Sequence, residues 1–287
     1  MVAKPGTVRE RAPAKVNLYL HLCGRRADGY HLLESLAVFP NVGDVLHAAH
    51  ADTLSLTICG PCAEGLSAGE DNLVLQAARS LARVRGNNTG AALHLDKHLP
   101  VASGIGGGSS DAAAALRALC RLWDCTAPED LALSLGADVP VCLEASRPTL
   151  MQGIGDRLSP VPVLPAMAIV LVNPREEVPT GAVFAGVEDR NPPPGLGIPV
   201  SGFASFGGFA DWLRQQRNDL QTSAERICPT ISRVLSGLSE APVARMSGSG
   251  ATCFGLFPDL DQAEHAAKSI QHAYPNWWVV AADVPGH

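Results

Sequence analysis

The chain has 287 residues, 46% of them hydrophobic, enough for one large domain or two moderate ones with true apolar cores. A net charge of −6 without any basic cluster argues against a nucleic-acid surface. The longest apolar run, Val161 to Val172, is interrupted by Pro162 and Pro165 and is too short to cross a bilayer, and Met1 to Arg11 lacks the apolar stretch of a secretory leader, so a cytoplasmic chain with no membrane partner is expected.

Residues Lys15 to Leu22 alternate, with Val16, Leu18, Leu20 and Leu22 on one side and Lys15, Asn17, Tyr19 and His21 on the other. That predicts a strand with one buried face, and Lys15 and Asn17 share the other, about 7 Å apart. Taken alone, the strand is read most simply as having a solvated polar face. Gly24 to His31 is a turn, signalled by Asp28-Gly29, that delivers Tyr30 and His31 just beyond it. Further strands are predicted at Leu32 to Phe39, Val45 to Ala48, Leu54 to Ile58 and Leu93 to Asp96, with a helix from Asp71 or Asn72 to about Arg83. This order favours an antiparallel or mixed sheet backed by helices over repeated βαβ units.

The eight cysteines sit mostly among apolar neighbours, the usage of a reducing compartment. Cys59-Gly-Pro-Cys62 spells a dithiol redox pair, which requires a helix starting at its first cysteine. Here the continuation AEGLSAGEDN reads as loop, so a dithiol redox protein is the remote alternative. No second ligand pair is present for zinc.

The stretch Leu99 to Trp123, LPVASGIGGGSSDAAAALRALCRLW, carries the strongest signal. Gly104, Gly106, Gly107 and Gly108 run directly into Ser109, Ser110 and Asp111, and an alanine-rich helix follows, with Ser and Asp expected to supply its N-cap and first-turn acceptors. A glycine loop that feeds a helix N-terminus offers unpaired N–H groups and the positive end of the helix dipole to an anion, most often phosphate. The same glycines also suit a simple connector. The loop lacks the G-K-[ST] ending of a Walker A loop and the third glycine of a dinucleotide fingerprint.

Beyond it, Thr126-Ala-Pro opens another helix, with the threonine as cap, and Gly136 closes it. Asp138 then stands between a helix end and a predicted apolar strand, a frame that favours a functional carboxylate over a surface one. After a glycine turn at Met151 to Asp156, the first domain ends near Pro165, dividing the chain into residues 1–165 and 166–287. Ala168 to Val172 is a strand and Gly186 to Gly208 an irregular Gly/Pro-rich excursion. Helices at Phe209 to Glu225 and Pro229 to Leu238 follow, then strand Val243 to Met246, turn Ser247 to Gly250, strand Thr252 to Phe257, helix Asp261 to Ala273 and strand Trp277 to Val284. The fold class is α+β, with a second half of ferredoxin-like type.

Four stretches together, PAKVNL, PVASGIGGGSSDAA, GADVPV and SGSGATCFGLF, resemble the GHMP small-molecule kinases, with GRRADGYH and EDNLV adding to the match over nearly the whole chain. Ser103 and Ile105 depart from the more usual Ala and Leu. The resemblance implies a two-domain GHMP kinase fold and ATP-dependent phosphorylation of the 2-hydroxyl of the small molecule 4-diphosphocytidyl-2-C-methylerythritol, with Mg2+ accompanying the nucleotide. Mevalonate, homoserine or a sugar is the alternative acceptor. It also implies Asp138 as general base with Lys15 beside it, and the ATP phosphates held by Pro100, Val101, Ala102, Ser103, Gly104, Ile105, Gly106, Gly107, Gly108, Ser109 and Ser110. Asn17, Tyr30, His31, Thr180 and Phe184 would bind substrate, Tyr30 and Phe184 by stacking on the base.

Overall fold

The computed structural model describes residues 6–86, 89–145, 147–189 and 192–286. Met1 to Pro5, the head of the segment read as leaderless, lies outside them, as do Arg190 and Asn191 of the Gly/Pro-rich stretch. The elements begin with β1 (Val8–Pro13), β2 (Val16–Arg25), β3 (His31–Val38), β4 (Gly43–Ala51), β5 (Ser55–Cys59), α1 (Leu73–Arg85) and β6 (Gly90–Asp96). They continue as α2 (Gly107–Trp123), α3 (Glu129–Leu135), α4 (Val139–Leu143), β7 (Thr149–Gly153), β8 (Arg157–Pro160) and β9 (Met167–Asn173). The last are α5 (Thr180–Ala185), α6 (Phe206–Arg214), α7 (Gln221–Ile227), α8 (Thr230–Gly237), β10 (Val243–Met246), β11 (Cys253–Phe257), α9 (Leu260–Ala273) and β12 (Trp278–Val284).

These elements form two compact units that interleave along the sequence and do not divide at residue 165. One takes the described residues of 1–14, 43–101 and 106–144; the other takes 15–42, 102–105 and the described residues from 145 onward. The interleaving follows from pairing, because β2 and β3 join the later β7 and β8 in one sheet.

In the first unit the sheet order is β1-β4-β6-β5, antiparallel except for the β5–β6 pair. Alternation puts Leu46, Ala48, Leu93 and Leu95 in the core, while α1 and α2 pack on each other and α2 packs on β1 and β4. Helix α1 starts where the Asn72 side chain accepts from the Val74 N–H and ends at left-handed Gly86, so of the two predicted starts the cap is Asn72. Three expectations are corrected here. Helix α2 begins at Gly107, with Gly106 at its cap position and no side-chain cap, so Ser109, Ser110 and Asp111 lie inside the helix. Helix α3 follows Pro128, not a capping Thr126. The apolar residues after Asp138 form the short helix α4 and not a strand.

In the second unit both four-stranded sheets are antiparallel throughout, in the orders β2-β3-β7-β8 and β10-β11-β9-β12. Counted in chain order within the latter, the strands run 2-3-1-4, the arrangement of a ferredoxin-like βαββαβ unit. Strand β2 is not half-solvated as predicted, since every residue from Val16 to Leu22 is buried. The Gly/Pro-rich excursion helps to cover it. Arg217 donates to the Pro193 carbonyl, Trp212 Nε1 donates to the Gly197 carbonyl, and Gly195 lies so close to the His21 ring that a Cβ would fall 1.9 Å from it. The predicted single helix from Phe209 to Glu225 is broken into α6 and α7. Between them Leu20 bonds to Arg217 and Asp219 through the backbone, and the Asp219 carboxylate accepts the Leu22 N–H, which draws the chain out alongside β2.

Candidate active site

Two glycine turns lie backbone to backbone in the second unit. Ser247 Oγ donates to the Gly104 carbonyl at 3.1 Å, and the Thr252 N–H donates to Ser103 O at 3.1 Å. Gly104 sits at φ +73, and a Cβ there would fall 2.5 Å from the Gly250 carbonyl oxygen; a Cβ on Gly248 would fall 2.8 Å from Gly104 O. Only glycine allows this approach. Ala102 holds a left-handed φ of +50, a conformation that costs a non-glycine residue energy and concentrates at functional loops.

Strand β2 feeds the same place. The backbone N–H of Lys15 donates to Ile105 O at 2.9 Å, and that of Asn17 donates to Ser247 Oγ at 3.1 Å. Asn17 Nδ2 donates to Ser35 Oγ at 2.7 Å, which fixes the amide, while its Oδ1 is buried without a hydrogen-bond partner. A buried acceptor left in that state points to a missing donor. Asn218 holds the second turn by donating to both Met246 O and Gly248 O at 2.8 Å. No motif signalled Asn218, since its role arises only from the bridge that places it beside Leu20.

Of the predicted substrate residues, the same unit brings Thr180 to Ser249, with hydroxyls 2.9 Å apart, and His31 to Phe184, with ring centroids 5.3 Å apart. Tyr30 stands at the tip of its turn with 61% of its surface exposed, a ring free to meet a flat partner. The ring seated on Phe184 is that of His31, and Phe184 also packs partly against the hydrophobic core.

In the first unit, the start of α2 has no side-chain cap, so the N–H groups of its first turn are not taken by a capping oxygen. Pro100, Gly107 and Ser110 are buried, Gly106 and Ser109 half-buried, and Val101 and Gly108 exposed; of the loop residues that belong to the second unit, Ser103 and Ile105 are buried, Gly104 half-buried and Ala102 exposed. Asp138, half-buried, occupies the N-cap position of α4 without a side-chain capping bond, held between Gly136, which ends α3, and Pro140 in the first turn of α4. Sequence reasoning missed a buried ionic cluster beneath α2, in which Lys97 Nζ lies 2.5 Å from Asp44 Oδ2 and 2.6 Å from Asp111 Oδ2.

Cys59 and Cys62 lack the redox arrangement. Cys59 ends β5, the next helix starts only at Leu73, and burial together with the Asp96 charge pushes the Cys59 thiol up, away from a reactive thiolate. No disulfide joins any cysteine among the described residues, and among those residues no group of three or more His, Cys, Asp or Glu could hold a metal ion.

Residues 72–147 match the GHMP kinases N terminal domain, and residues 202–276 match the GHMP kinases C terminal domain. A 4-diphosphocytidyl-2-C-methyl-D-erythritol kinase of Ruegeria pomeroyi is 55% identical over 273 residues, covering 93% of this chain and 95% of its own. The chain belongs to the GHMP kinase family. A Jannaschia kinase of the same name is 53% identical over 97% of this chain and 98% of its own. The crystal structure of a 4-(cytidine 5'-diphospho)-2C-methyl-D-erythritol kinase superposes with a TM-score of 0.80 at 33% identity, covering 98% of this chain and all of that one. A homoserine kinase from Cytophaga hutchinsonii, at 17% identity and a TM-score of 0.66, shares the fold. The first matched segment falls within residues 1–165 and the second within 166–287. The chain is thus a small-molecule kinase with a GHMP α+β fold.

Proposed function

We propose that this GHMP kinase transfers the γ-phosphoryl group of ATP to the 2-hydroxyl of 4-diphosphocytidyl-2-C-methyl-D-erythritol, a step in non-mevalonate isoprenoid precursor synthesis, and releases ADP. The observation that carries this reading is identity above 50%, over more than nine-tenths of the chain, to kinases named for that substrate. The segments at residues 72–147 and 202–276 then supply the kinase's N-terminal and C-terminal domain functions.

The chemistry follows from the residue types. Phosphoryl transfer has a loose transition state, so catalysis rests on positioning and on compensating charge. The uncapped first turn of α2 and the glycine backbone from Gly104 to Gly108 suit polyphosphate oxygens, with Pro100 to Ser103 leading in. Mg2+ would arrive with the nucleotide, held mainly by phosphate oxygens. Ser109 is the serine suited to reach it, because it is half-buried while Ser110 has no exposed surface. Asp138 would take the proton of the attacking hydroxyl, and Lys15 would counter the charge developing on the phosphoryl group. Asn17 would orient the sugar alcohol through its unpartnered Oδ1. Tyr30 would stack on the cytosine, with His31, Phe184 and Thr180 completing that side. The enzyme would act in the cytoplasm.

The test is ADP release with Mg-ATP and each of four acceptors: the cytidyl-linked sugar alcohol, mevalonate, homoserine and galactose. Turnover confined to the first supports the assignment; comparable or higher turnover on another acceptor overturns the substrate and leaves the family intact.

A further inference from the structure

The cluster beneath α2 is assembled from three separate parts of the first unit. Asp44 lies near the start of β4, Lys97 just past the end of β6, and Asp111 in the second turn of α2. All three are nearly inaccessible to solvent. Asp44 Oδ1 accepts the N–H groups of His98 and Leu99 at 2.5 and 2.8 Å, and its Oδ2 accepts from Lys97 Nζ. Lys97 Nζ donates also to Asp111 Oδ2, and it lies 3.3 Å from where a Cβ on Gly107 would stand.

The Cys59-Gly-Pro-Cys62 turn gains a role from this arrangement. The Lys97 N–H donates to Cys59 O at 2.7 Å, and Lys97 O accepts the Cys62 N–H at 3.0 Å. Gly60, at φ +103, passes so close that a Cβ would fall 2.4 Å from Lys97 O. The turn therefore wraps the main chain of Lys97 and fixes where its side chain begins.

Burying an ammonium between two acidic side chains is costly, and apolar side chains of the same volume would hold a core at least as well. The cluster also leaves Asp111 Oδ1 buried without a hydrogen-bond partner. What the charges supply is directional. They lock Leu99, where the chain enters the glycine loop, and the first turns of α2, where it leaves, to one ammonium. We infer that Lys97, Asp44 and Asp111 are positioning residues for nucleotide binding, with the Lys97–Asp111 bond setting the span of the glycine loop and the aim of the α2 N–H groups. This rests on the reading of that loop as the ATP phosphate site.

The test uses Asp111→Leu, which removes the tie, refills the volume and leaves Lys97 paired one-to-one with Asp44. Asp111→Asn, which retains an oxygen acceptor for Lys97, is the rescue. Binding of a non-hydrolysable ATP analogue is measured by calorimetry, alongside melting temperature and KM for each substrate. A loss of nucleotide affinity of about tenfold in Asp111→Leu is expected, with KM for the cytidyl substrate unchanged and Asp111→Asn within roughly twofold of wild type. If Asp111→Leu does not fold, Asp111→Ser, too short to reach Lys97, carries the same measurement. Wild-type nucleotide affinity in the Leu or Ser variant overturns the inference, as does an Asn variant as weak as the Leu variant. Wild-type protein that binds no ATP analogue removes the phosphate-site reading itself, a distinguishable failure.

Discussion

Gly104→Ala tests the apposition of the two glycine turns. The new Cβ would lie 2.5 Å from Gly250 O and 2.8 Å from both Gly250 N and Ser247 O, all of them backbone atoms that no rotamer change can move aside. The position also demands a φ of +73, which costs a residue with a side chain about 1–2 kcal/mol. Forcing a methyl group against packed backbone adds about 1–3 kcal/mol. Relief by separation would stretch the Ser247 Oγ to Gly104 O and Thr252 N to Ser103 O hydrogen bonds. A total of about 2–5 kcal/mol lowers Tm by about 3–8 °C in a chain of this size. Calorimetric melting and ATP titration are the assays, and nucleotide KM should rise by about tenfold or more. Gly108→Ala is the contrast. Its Cβ meets only Leu73 Cδ1, at 3.6 Å, and alanine is favoured in a helix by about 0.5–1 kcal/mol, so the variant should melt no lower than wild type and yet bind ATP more weakly if phosphate approaches that backbone. A Gly104→Ala protein with wild-type melting and nucleotide KM would refute the apposition.

Asp138→Asn should lower kcat by about 10² or more with little change in nucleotide KM, as steady-state kinetics will read, if its carboxylate is the base. Asp111 is pushed up to about 7, chiefly by burial and further by the Asp44 charge, against the opposing pull of Lys97. Its folded form therefore holds a proton between about pH 4 and 7 that the unfolded chain has lost, and the wild type loses stability as pH rises through that window. Melting scans should show Asp111→Asn gaining on wild type from pH 4 to 7 and keeping a constant lead above it. Buried Arg245, pulled down to about 10 by desolvation, donates to Leu18 O, Leu213 O and Gln216 O. Arg245→Met orphans these carbonyls and should cost about 2–4 kcal/mol in denaturant titration.

Local chemistry made much of the fold legible. Asn72 ahead of a Leu/Ala-spaced run marks α1, and the order of strands and helices after Ala168 predicts the ferredoxin-like sheet, which β9 to β12 form. The glycine loop, too, was visible, because four glycines abutting an alanine helix have few structural uses. What escaped depends on tertiary context. Tyr19 and His21 look like a wet face until Trp212 meets the Tyr19 ring edge-on and Gly195 closes on the His21 ring. The residues after Asp138 are too few for periodicity to separate strand from helix. No Gly or Pro marks the break between α6 and α7, because pairing of Asn218 with Leu20 makes it. Lys97, flanked by Asp96 and His98, reads as surface, and its partners lie far off in sequence.

The most direct test of the proposed reaction follows the phosphoryl group itself. Protein is incubated with ATP labelled at the γ-phosphate and 4-diphosphocytidyl-2-C-methyl-D-erythritol, and the product is resolved by phosphorus NMR. The account predicts label in a new phosphate monoester at the 2-hydroxyl, with the cytidyl diphosphate bridge intact and the signal largely lost in Asp138→Asn. Label released only as inorganic phosphate, or carried on an acceptor without the cytidyl group, would contradict it.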